Sequence, residues 1–291
     1  MLSYRHSFHA GNHGDVLKHI CQLLLLNKLK SKDKGFVYMD THSGAGIYKL
    51  DSEQANKTNE YQQGIARLVA HQGHDPAILA YQALCADYLA QDRYPGSPEI
   101  ARKLMRDQDK LALMELHNDE IHNLKRNMLT GNQRDSNIGV HHRDGYEGLI
   151  AMTPPNPARG MVLIDPSYEV ASEYQQVVDT VVKAHKRWAG GIYAIWYPLL
   201  AKREDSQYGG TKAGLSENML ATLAKQDFKN LLQIELCVDA EQQGGMYGTG
   251  MAIINAPWQL DEQIAGCLEE LTPLLARTEQ AHYSLNWLIK D

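Results

Sequence analysis

Short runs of apolar and β-branched residues recur along the chain, and each run ends in glycine or polar turn residues. Amphipathic stretches lie between most of the runs, and this alternation is typical of a parallel sheet covered by helices. We predict seven strands, at Phe36–Thr41, Leu111–Leu116, Asn137–His142, Met161–Ile164, Gly191–Trp196, Leu231–Val238 and Thr249–Asn255. The pattern therefore predicts an α/β fold built on a mostly parallel, seven-stranded sheet.

The last two predicted strands are joined by the turn sequence EQQGGMYGTG, which is too short to hold a crossover helix. They should pair antiparallel, whereas the earlier strands are spaced for crossover helices. A parallel sheet that ends in an antiparallel hairpin differs from an ordinary dinucleotide-binding sheet. The sequence therefore predicts a Rossmann-like class I methyltransferase fold.

Far more residues lie between the first two predicted strands than one crossover helix requires. The stretch from about Leu50 to Arg102 has a helical pattern, and Pro95, Gly96 and Pro98 mark the return to the sheet. We therefore predict a methyltransferase domain of residues 1-49 and 103-291, with an inserted helical subdomain of residues 50-102.

The composition is that of an ordinary folded protein. Of 291 residues, 43% are hydrophobic and 22% are charged, which excludes a disordered or fibrous chain. The four cysteines lie far apart without a CxxC pair, so we expect buried thiols in a reducing compartment rather than a zinc ribbon or disulfides. Because no segment resembles a signal peptide or a membrane span, we expect a cytoplasmic protein with no membrane partner.

The formal net charge of −6 argues against a protein that holds nucleic acid by charge alone. Any contact with RNA must then use local basic patches. The candidates are Arg5, Lys18, the group Lys28, Lys30, Lys32 and Lys34, the run 183–187, and Lys202 with Arg203. A solvated helix face explains any one of these runs equally well.

The first predicted strand ends in FVYMDTHSGAG, where Asp40 is followed by Gly44 and Gly46. Glycines at the carboxyl end of such a strand let the backbone approach a ligand closely, so Gly44 is a candidate cofactor contact. The loop has neither the third glycine of the dinucleotide motif nor a Lys-Ser/Thr pair for phosphates, which argues against a nucleotide hydrolase. A glycine turn that serves only the backbone geometry is the alternative.

Acidic residues follow the next two predicted strands. Glu115 ends the second strand, where a carboxylate can accept hydrogen bonds from the two ribose hydroxyls of an adenosyl group. Asp144 and Gly145 follow the third strand, at the expected position of an adenine ring edge. Either acid alone could be a helix cap or a surface charge, but their places at consecutive strand ends favour a cofactor site.

The sequence IDPSYE at the end of the fourth predicted strand gives the sharpest chemical signal. Asp165, Pro166, Ser167 and Tyr168 match the [DNS]-P-P-[YFW] motif of amino-methyltransferases, except that Ser167 replaces the second proline. An adenine amine attacks poorly because its lone pair is delocalised, so Asp165 and the Pro166 carbonyl are expected to accept its hydrogens. Tyr168 is expected to stack on a flipped base. A strand-terminating turn with a capping aspartate is the structural alternative.

The N-terminal segment YRHSFHAGNHGDVLKH is unusually rich in polar side chains. They are Tyr4, Arg5, His6, His9, Asn12, His13, Lys18 and His19. A metal site is one alternative, because His9 and His13 are four residues apart and Asp15 follows. The glycines and the asparagine within that spacing argue against one helix that carries both imidazoles, so we expect no metal.

Together, YRHSFHAGNHGDVLKH, DTHSGAGIY, YPGSPEIAR, RDGYEGL and IDPSYE resemble the bacterial RlmJ family, which methylates the exocyclic amine of one adenine in 23S ribosomal RNA. The resemblance implies a methyltransferase fold with a helical insertion and S-adenosyl-L-methionine as cofactor. It implies that the cofactor contacts are His19, His42, Ser97, Glu115, Asp144, Gly145 and Asp165. It also implies that Asp165 is the catalytic carboxylate and that Tyr4 and Lys18 act near the RNA or the methyl-transfer centre.

A flipped adenine must enter a pocket, and an acidic protein has little charge with which to displace ribosomal proteins. The expected partner is therefore 23S RNA that is protein-free or only partly assembled into the ribosomal subunit. Three rival readings stay open at this point. They are an amino-methyltransferase that acts on DNA or on a protein glutamine, a non-catalytic RNA-binding module, and a metal hydrolase built on the histidines.

Overall fold

The structure is a computed structural model that describes residues 5–131, 133–201, 212–241 and 245–290. Its strands are β1 (Val37–Asp40), β2 (Ile47–Lys49), β3 (Arg93–Pro95), β4 (Lys110–Glu115), β5 (Ile138–His142), β6 (Gly160–Ile164), β7 (Ile192–Leu200), β8 (Leu231–Cys237), β9 (Met246–Ile254) and β10 (His282–Ile289). Its α-helices are α1 (His13–Lys30), α2 (Glu53–Thr58), α3 (Ile65–Ala70), α4 (Pro76–Leu89), α5 (Ser97–Leu104), α6 (Asn118–Met128), α7 (Gly145–Met152), α8 (Ser172–Arg187), α9 (Leu215–Leu223) and α10 (Leu260–Leu275).

The main sheet has the strand order β10-β8-β9-β7-β6-β1-β4-β5. β1 pairs parallel with both β4 and β6, so the order of the strands reverses at β1. β9 lies antiparallel between β7 and β8, which confirms the predicted hairpin at the end of the sheet. In open α/β sheets the crevice at such a reversal point, beside the carboxyl ends of the strands, is where ligands bind.

All seven predicted strands are present, but the predicted number is wrong because the main sheet has eight. The additional strand, β10, pairs antiparallel with β8. It forms the edge of the sheet, and its residues are exposed or half-buried rather than fully buried. An edge strand of this kind lacks the continuous apolar run that marks a strand buried on both faces.

Helices cover both faces of the sheet. Alternate residues of β1 point into separate cores, with Tyr38 packed on the α1 side and Met39 on the side of α7 and α8. In α1, 15 of 18 residues are buried, although the helix carries several polar side chains. Burial of charged groups is costly unless they are paired, so these side chains need partners.

The stretch that was predicted to be an inserted helical subdomain contains α2, α3, α4 and the start of α5. It also contains β3, which pairs with β2 in a separate two-stranded sheet. α4 packs against α1, and α3 packs against α10. α5 contacts β1 and β4, so the crossover between these strands passes through it. The division at residues 50-102 stays a prediction.

The four cysteines are buried, as the sequence predicts. Burial raises the pKa of the Cys21 and Cys85 thiols to about 12 and that of Cys237 to about 11. Burial and the neighbouring Asp75 also raise the pKa of Cys267. In the described part of the chain, no helix is both long and apolar enough to cross a bilayer.

Candidate active site

A cavity of about 590 Å³ opens at the carboxyl ends of β1, β4, β5 and β6, which is a usual size for a small-molecule site. It brings together all the described residues that the sequence predicts for the site: Lys18, His19, His42, Gly44, Ser97, Glu115, Asp144, Gly145, Asp165, Pro166 and Tyr168. Tyr4 lies outside the described residues. The crossover topology therefore collects side chains that are scattered along the sequence.

Glu115 and the glycine loop meet in one wall of the cavity. The Gly44 N–H donates to Glu115 Oε2 over 2.8 Å, and the His117 N–H donates to Oε1 over 2.6 Å. Gly44 has a φ of +56°, a region that residues with a Cβ rarely enter. Burial raises the pKa of Glu115. Each carboxylate oxygen has more than one lone pair, so Glu115 can still accept hydrogen bonds from a ligand.

Asp144 and Gly145 begin α7 at the neighbouring strand end. Asp144 Oδ1 accepts hydrogen bonds from the Tyr146 and Glu147 N–H groups over 2.8 and 3.0 Å, so Asp144 is an N-cap as well as a cavity residue. A Cβ on Gly145 would lie 2.0 Å from the Thr41 carbonyl oxygen. The close packing of α7 on the β1 loop accounts for this glycine.

Two neutral histidines also line the cavity. His19 Nδ1 lies 2.9 Å from the Tyr94 hydroxyl, and burial lowers the pKa of His19 to about 3. His42 Nδ1 lies 2.7 Å from the Thr41 hydroxyl, and burial lowers the pKa of His42 to about 4. Both imidazoles are therefore uncharged at neutral pH and can donate or accept one hydrogen bond at each nitrogen, according to the tautomer.

Ser97 joins the cavity to a buried carboxyl group. Its hydroxyl donates to Asp40 Oδ2 over 2.7 Å, and the Tyr38 hydroxyl donates to the same oxygen over 2.8 Å. Burial raises the pKa of Asp40 to about 6. The Ser97 hydroxyl proton is therefore used in the hydrogen bond to Asp40, so the Ser97 oxygen can only accept hydrogen bonds from a ligand.

Asp165 is held by an ion-pair network that crosses from β6 to α1. Lys18 Nζ lies 2.6 Å from Asp165 Oδ2 and 2.7 Å from Asp15 Oδ1, although the Lys18 side chain is only 4% exposed. His6 Nε2 lies 2.9 Å from Asp15 Oδ2. Burial opposes the charge on Lys18, but the Asp15 and Asp165 carboxylates outweigh it and raise the pKa of Lys18. This network supplies the partners that the buried charges of α1 require.

Tyr168 is almost completely buried, with 1% of its surface exposed. Its ring lies 4.4 Å from the Tyr174 ring and 6.0 Å from the Trp196 ring, centroid to centroid. Its hydroxyl donates to the Trp196 carbonyl oxygen over 2.8 Å. Since Tyr174 covers part of the ring, stacking of Tyr168 on a substrate base stays a prediction.

Sequence reasoning did not single out several residues of the cavity. His6 was noted only as a polar residue of the N-terminal segment, and Asp15 only as part of a possible metal site, although an aspartate three positions before a lysine in a helix is a signal for an ion pair. Glu120, Trp196 and Lys212 carry no local motif, and only the fold brings them to the cavity.

Among the residues that the structure describes, three buried polar atoms of the cavity wall have no hydrogen-bond partner: His19 Nε2, Glu120 Oε2 and the Tyr146 hydroxyl oxygen. A buried polar group without a partner costs free energy, so such atoms indicate a polar ligand. The wall offers carboxylates and neutral rings rather than a cluster of cations, which suits ribose, adenine and a sulfonium group better than phosphates. The residues therefore fit an S-adenosylmethionine molecule.

The histidines of the N-terminal segment have other partners. α1 begins only at His13, where Asn12 caps it by accepting from the Asp15 N–H. His9 Nδ1 contacts Glu60 over 2.9 Å, and His13 Nδ1 lies 3.4 Å from Arg277. Among the residues that the structure describes, no group of three histidine, cysteine or carboxylate side chains is arranged to hold a metal ion.

The strand order, the terminal hairpin and the cavity together define a class I S-adenosylmethionine-dependent methyltransferase. The family described as ribosomal RNA large subunit methyltransferase D, RlmJ, matches residues 33–289. The chain belongs to this family. Two curated relatives named ribosomal RNA large subunit methyltransferase J, from Escherichia coli K12 and Haemophilus influenzae, are 41% and 39% identical over 100% of both chains.

A solved structure shows the same architecture. The crystal structure of protein LPL1258 from Legionella pneumophila has a TM-score of 0.83 and 33% sequence identity to this chain. The match covers 96% of this chain and 98% of that one. Both the sheet and its helical cover are therefore shared with this relative.

Proposed function

We propose that this chain methylates the exocyclic N6 amine of a specific adenine in 23S ribosomal RNA. The names of the two curated relatives support ribosomal RNA of the large subunit as the substrate. The Asp165–Tyr168 tetrapeptide supports an amine as the acceptor. The observation that carries the proposal is the Asp165 carboxylate in the cavity wall, held by Lys18 over 2.6 Å.

The chemistry requires a hydrogen-bond acceptor for the target amine. The lone pair of an adenine amine is delocalised into the ring, so the nitrogen must pyramidalise before it can attack the electrophilic methyl group that S-adenosylmethionine supplies. Asp165 and the Pro166 carbonyl would accept hydrogen bonds from the two amine N–H groups and stabilise the positive charge that develops on the nitrogen. The methyl carbon would pass from the sulfonium sulfur to the nitrogen, and one amine proton would be released to solvent. An ionised carboxylate is acceptor-only, which suits this role.

Lys18 has two tasks in this proposal. Its ammonium group pairs with the Asp165 carboxylate over 2.6 Å, so each of these two groups has an opposite charge beside it. It also fixes the orientation of Asp165, since Asp15 holds the same ammonium group from the other side. Asp165 Oδ1 is then left to face the substrate amine.

The cofactor would be held by residues from four parts of the fold. Glu115 would accept from the ribose hydroxyls, and Asp144 with Gly145 would meet the adenine edge. His19, His42 and Ser97 would lie along the methionine part. Gly44 would let the backbone of the β1 loop approach the cofactor closely.

The decisive test is mass spectrometry of 23S RNA from a strain that lacks this protein, with a search for a missing methyladenine. Restoring the parent protein should restore the modification. Asp165→Asn should fail to restore it, and purified Asp165→Asn should lose roughly 10²- to 10³-fold in methyl transfer. Asp179→Asn, at an exposed position on α8, is the matched control and should behave like the parent protein.

Other outcomes would contradict the proposal. A methyl group found on DNA or on a protein glutamine would exclude ribosomal RNA as the substrate. Full activity of Asp165→Asn would remove this carboxylate from the reaction.

A further inference from the structure

The backbone is strained at Tyr168, the last residue of the Asp165–Tyr168 tetrapeptide. Tyr168 has a φ of +51°, in the left-handed region that residues with a side chain avoid. This conformation is unfavourable for a residue with a Cβ, and it persists only where the surrounding structure fixes it. Something other than local preference must therefore hold this turn.

The structure shows three restraints on Tyr168. Its hydroxyl is held by the Trp196 carbonyl, and its ring packs on Tyr174. The third restraint acts on the backbone: Lys212 Nζ donates to the Tyr168 carbonyl oxygen over 2.8 Å and to the Glu169 carbonyl oxygen over 3.1 Å. Lys212 comes from a distant part of the chain, between β7 and α9, and it also lines the cavity.

We infer that Lys212 is a positioning residue, which clamps the Tyr168 and Glu169 carbonyls and so fixes the turn that presents Asp165 and Tyr168 to the substrate. Hydrogen bonds from an ammonium group are roughly twice as strong as those between neutral groups. Two such bonds to consecutive carbonyls restrain both peptide groups at once. The inference rests on the proposed role of the Asp165–Tyr168 tetrapeptide.

Ser167 explains why this turn needs a clamp. A proline at this position, as in the usual amino-methyltransferase motif, would lock φ near −65° and remove one degree of freedom before Tyr168. Serine leaves that rotation free. None of the described hydrogen bonds uses the Ser167 N–H, so a proline would break no described bond there. A proline and the Lys212 clamp should therefore substitute for one another in part.

The test compares Lys212→Met and Lys212→Arg with the parent enzyme in methyl transfer to 23S RNA. Because misplacement of catalytic groups is costly, Lys212→Met should lower kcat about tenfold or more and leave the KM for RNA and the cofactor Kd within about twofold. Lys212→Arg, which can still donate to both carbonyls, should recover most of the kcat. Adding Ser167→Pro to Lys212→Met should recover part of it.

Hydrogen exchange measured by mass spectrometry gives a readout that does not depend on turnover. Amides of residues 165–171 should exchange faster in Lys212→Met than in the parent protein, and Lys212→Arg should slow them again. Lys225→Met, which removes an exposed lysine just beyond α9, controls for the loss of charge and should change neither kcat nor the exchange of this segment.

Four results would overturn the inference. The first is a parental kcat for Lys212→Met. The second is an effect of Lys212→Met that appears mainly as a higher KM and depends on salt, and the third is a loss of activity that follows a lower melting temperature. The fourth is no gain in kcat when Ser167→Pro is added to the Lys212→Met protein. A salt-dependent KM would make Lys212 a phosphate contact instead. If Asp165→Asn were fully active, the proposed function itself would fail, and that result is separate from all four.

Discussion

Lys18 and Asp15 lie on the same turn of α1, almost without exposure, and each is charged. Burying a charge is costly, and removing one partner of a buried pair leaves the other uncompensated. Replacement of Asp15 should therefore disturb Lys18 and, through it, Asp165, although Asp15 does not touch Asp165. His6 completes the chain of contacts from the N-terminal segment to the proposed catalytic carboxylate.

The Glu115 side chain should control affinity for the cofactor. Glu115→Ala removes the acceptor proposed for the ribose hydroxyls and leaves the Gly44 and His117 N–H groups without their partner. Loss of a hydrogen bond to a charged group costs about 1.5–3 kcal/mol, so calorimetry should show S-adenosylmethionine binding weakened roughly 10-fold or more.

Glu147→Ala is the control for that experiment. It removes an exposed carboxylate from α7 and should leave the affinity unchanged. Parental affinity of Glu115→Ala would remove Glu115 from the cofactor site.

Asp40 should make stability depend on pH in a defined window. Its pKa is raised to about 6, so between about pH 4 and pH 6 the native state keeps a proton that the unfolded chain has lost. The contribution of Asp40 to stability is therefore complete below about pH 4 and is lost as the pH rises through about 6. Asp40→Asn has no such titration.

Urea unfolding of the parent and Asp40→Asn proteins checks this prediction. The free energy of unfolding of the parent protein, relative to that of Asp40→Asn, should rise by about 2–3 kcal/mol as the pH falls from 7 to 4, because each pKa unit corresponds to 1.36 kcal/mol. Comparing the two proteins cancels the titration of the other carboxylates. A difference that does not change with pH would show that Asp40 has an ordinary pKa.

Local sequence patterns singled out some of the residues that line the cavity. Asp165 lies in a recognisable tetrapeptide, and Glu115 ends a buried strand, so both could be singled out. The contact of Lys18 with Asp165 joins residues that are far apart in the sequence, and the clamp by Lys212 does the same. Such contacts depend on the path of the chain in three dimensions, which residue spacing does not encode.

At the scale of elements, the buried strands were predicted because their apolar runs are nearly continuous. β10 was missed because it is half-exposed at the edge of the sheet, and β2 and β3 were missed because each has only three residues. The terminal hairpin was predicted correctly from the length of one turn. Sequence patterns thus located the elements of the core, and they failed where packing is partial.

The packing of α7 on the β1 loop gives a prediction at this scale. Gly145→Ala would place a Cβ 2.0 Å from the Thr41 carbonyl oxygen, so α7 must shift away from the sheet. Because overpacking of a tight contact typically costs 1–3 kcal/mol, we expect a loss of about this size in urea unfolding, together with weaker cofactor binding.

Gly190→Ala is the matched control for Gly145→Ala. A Cβ there would have no neighbour within 4 Å in the described part of the chain, so the stability should stay close to that of the parent protein. Equal stability of the Gly145→Ala and Gly190→Ala proteins would contradict the packing role of Gly145.

For the molecule as a whole, the net charge of −6 limits how it can hold RNA. Phosphate contacts need concentrated lysine and arginine, so the chain has little charge with which to displace ribosomal proteins. We therefore expect protein-free 23S transcripts to accept methyl groups at least as well as intact large subunits. Incorporation of labelled methyl groups into both substrates measures this, and activity on assembled subunits alone would refute it.

The burial of all four thiols has a practical consequence for labelling. Alkylating reagents attack the thiolate, and these groups are both shielded and held in their protonated forms at neutral pH. The native protein should therefore react slowly with maleimides, whereas the unfolded chain should take up four equivalents. Lys225→Cys, at an exposed position, would then carry the single reactive handle for a fluorophore, and energy transfer from it to dye-labelled RNA would report how the two molecules dock.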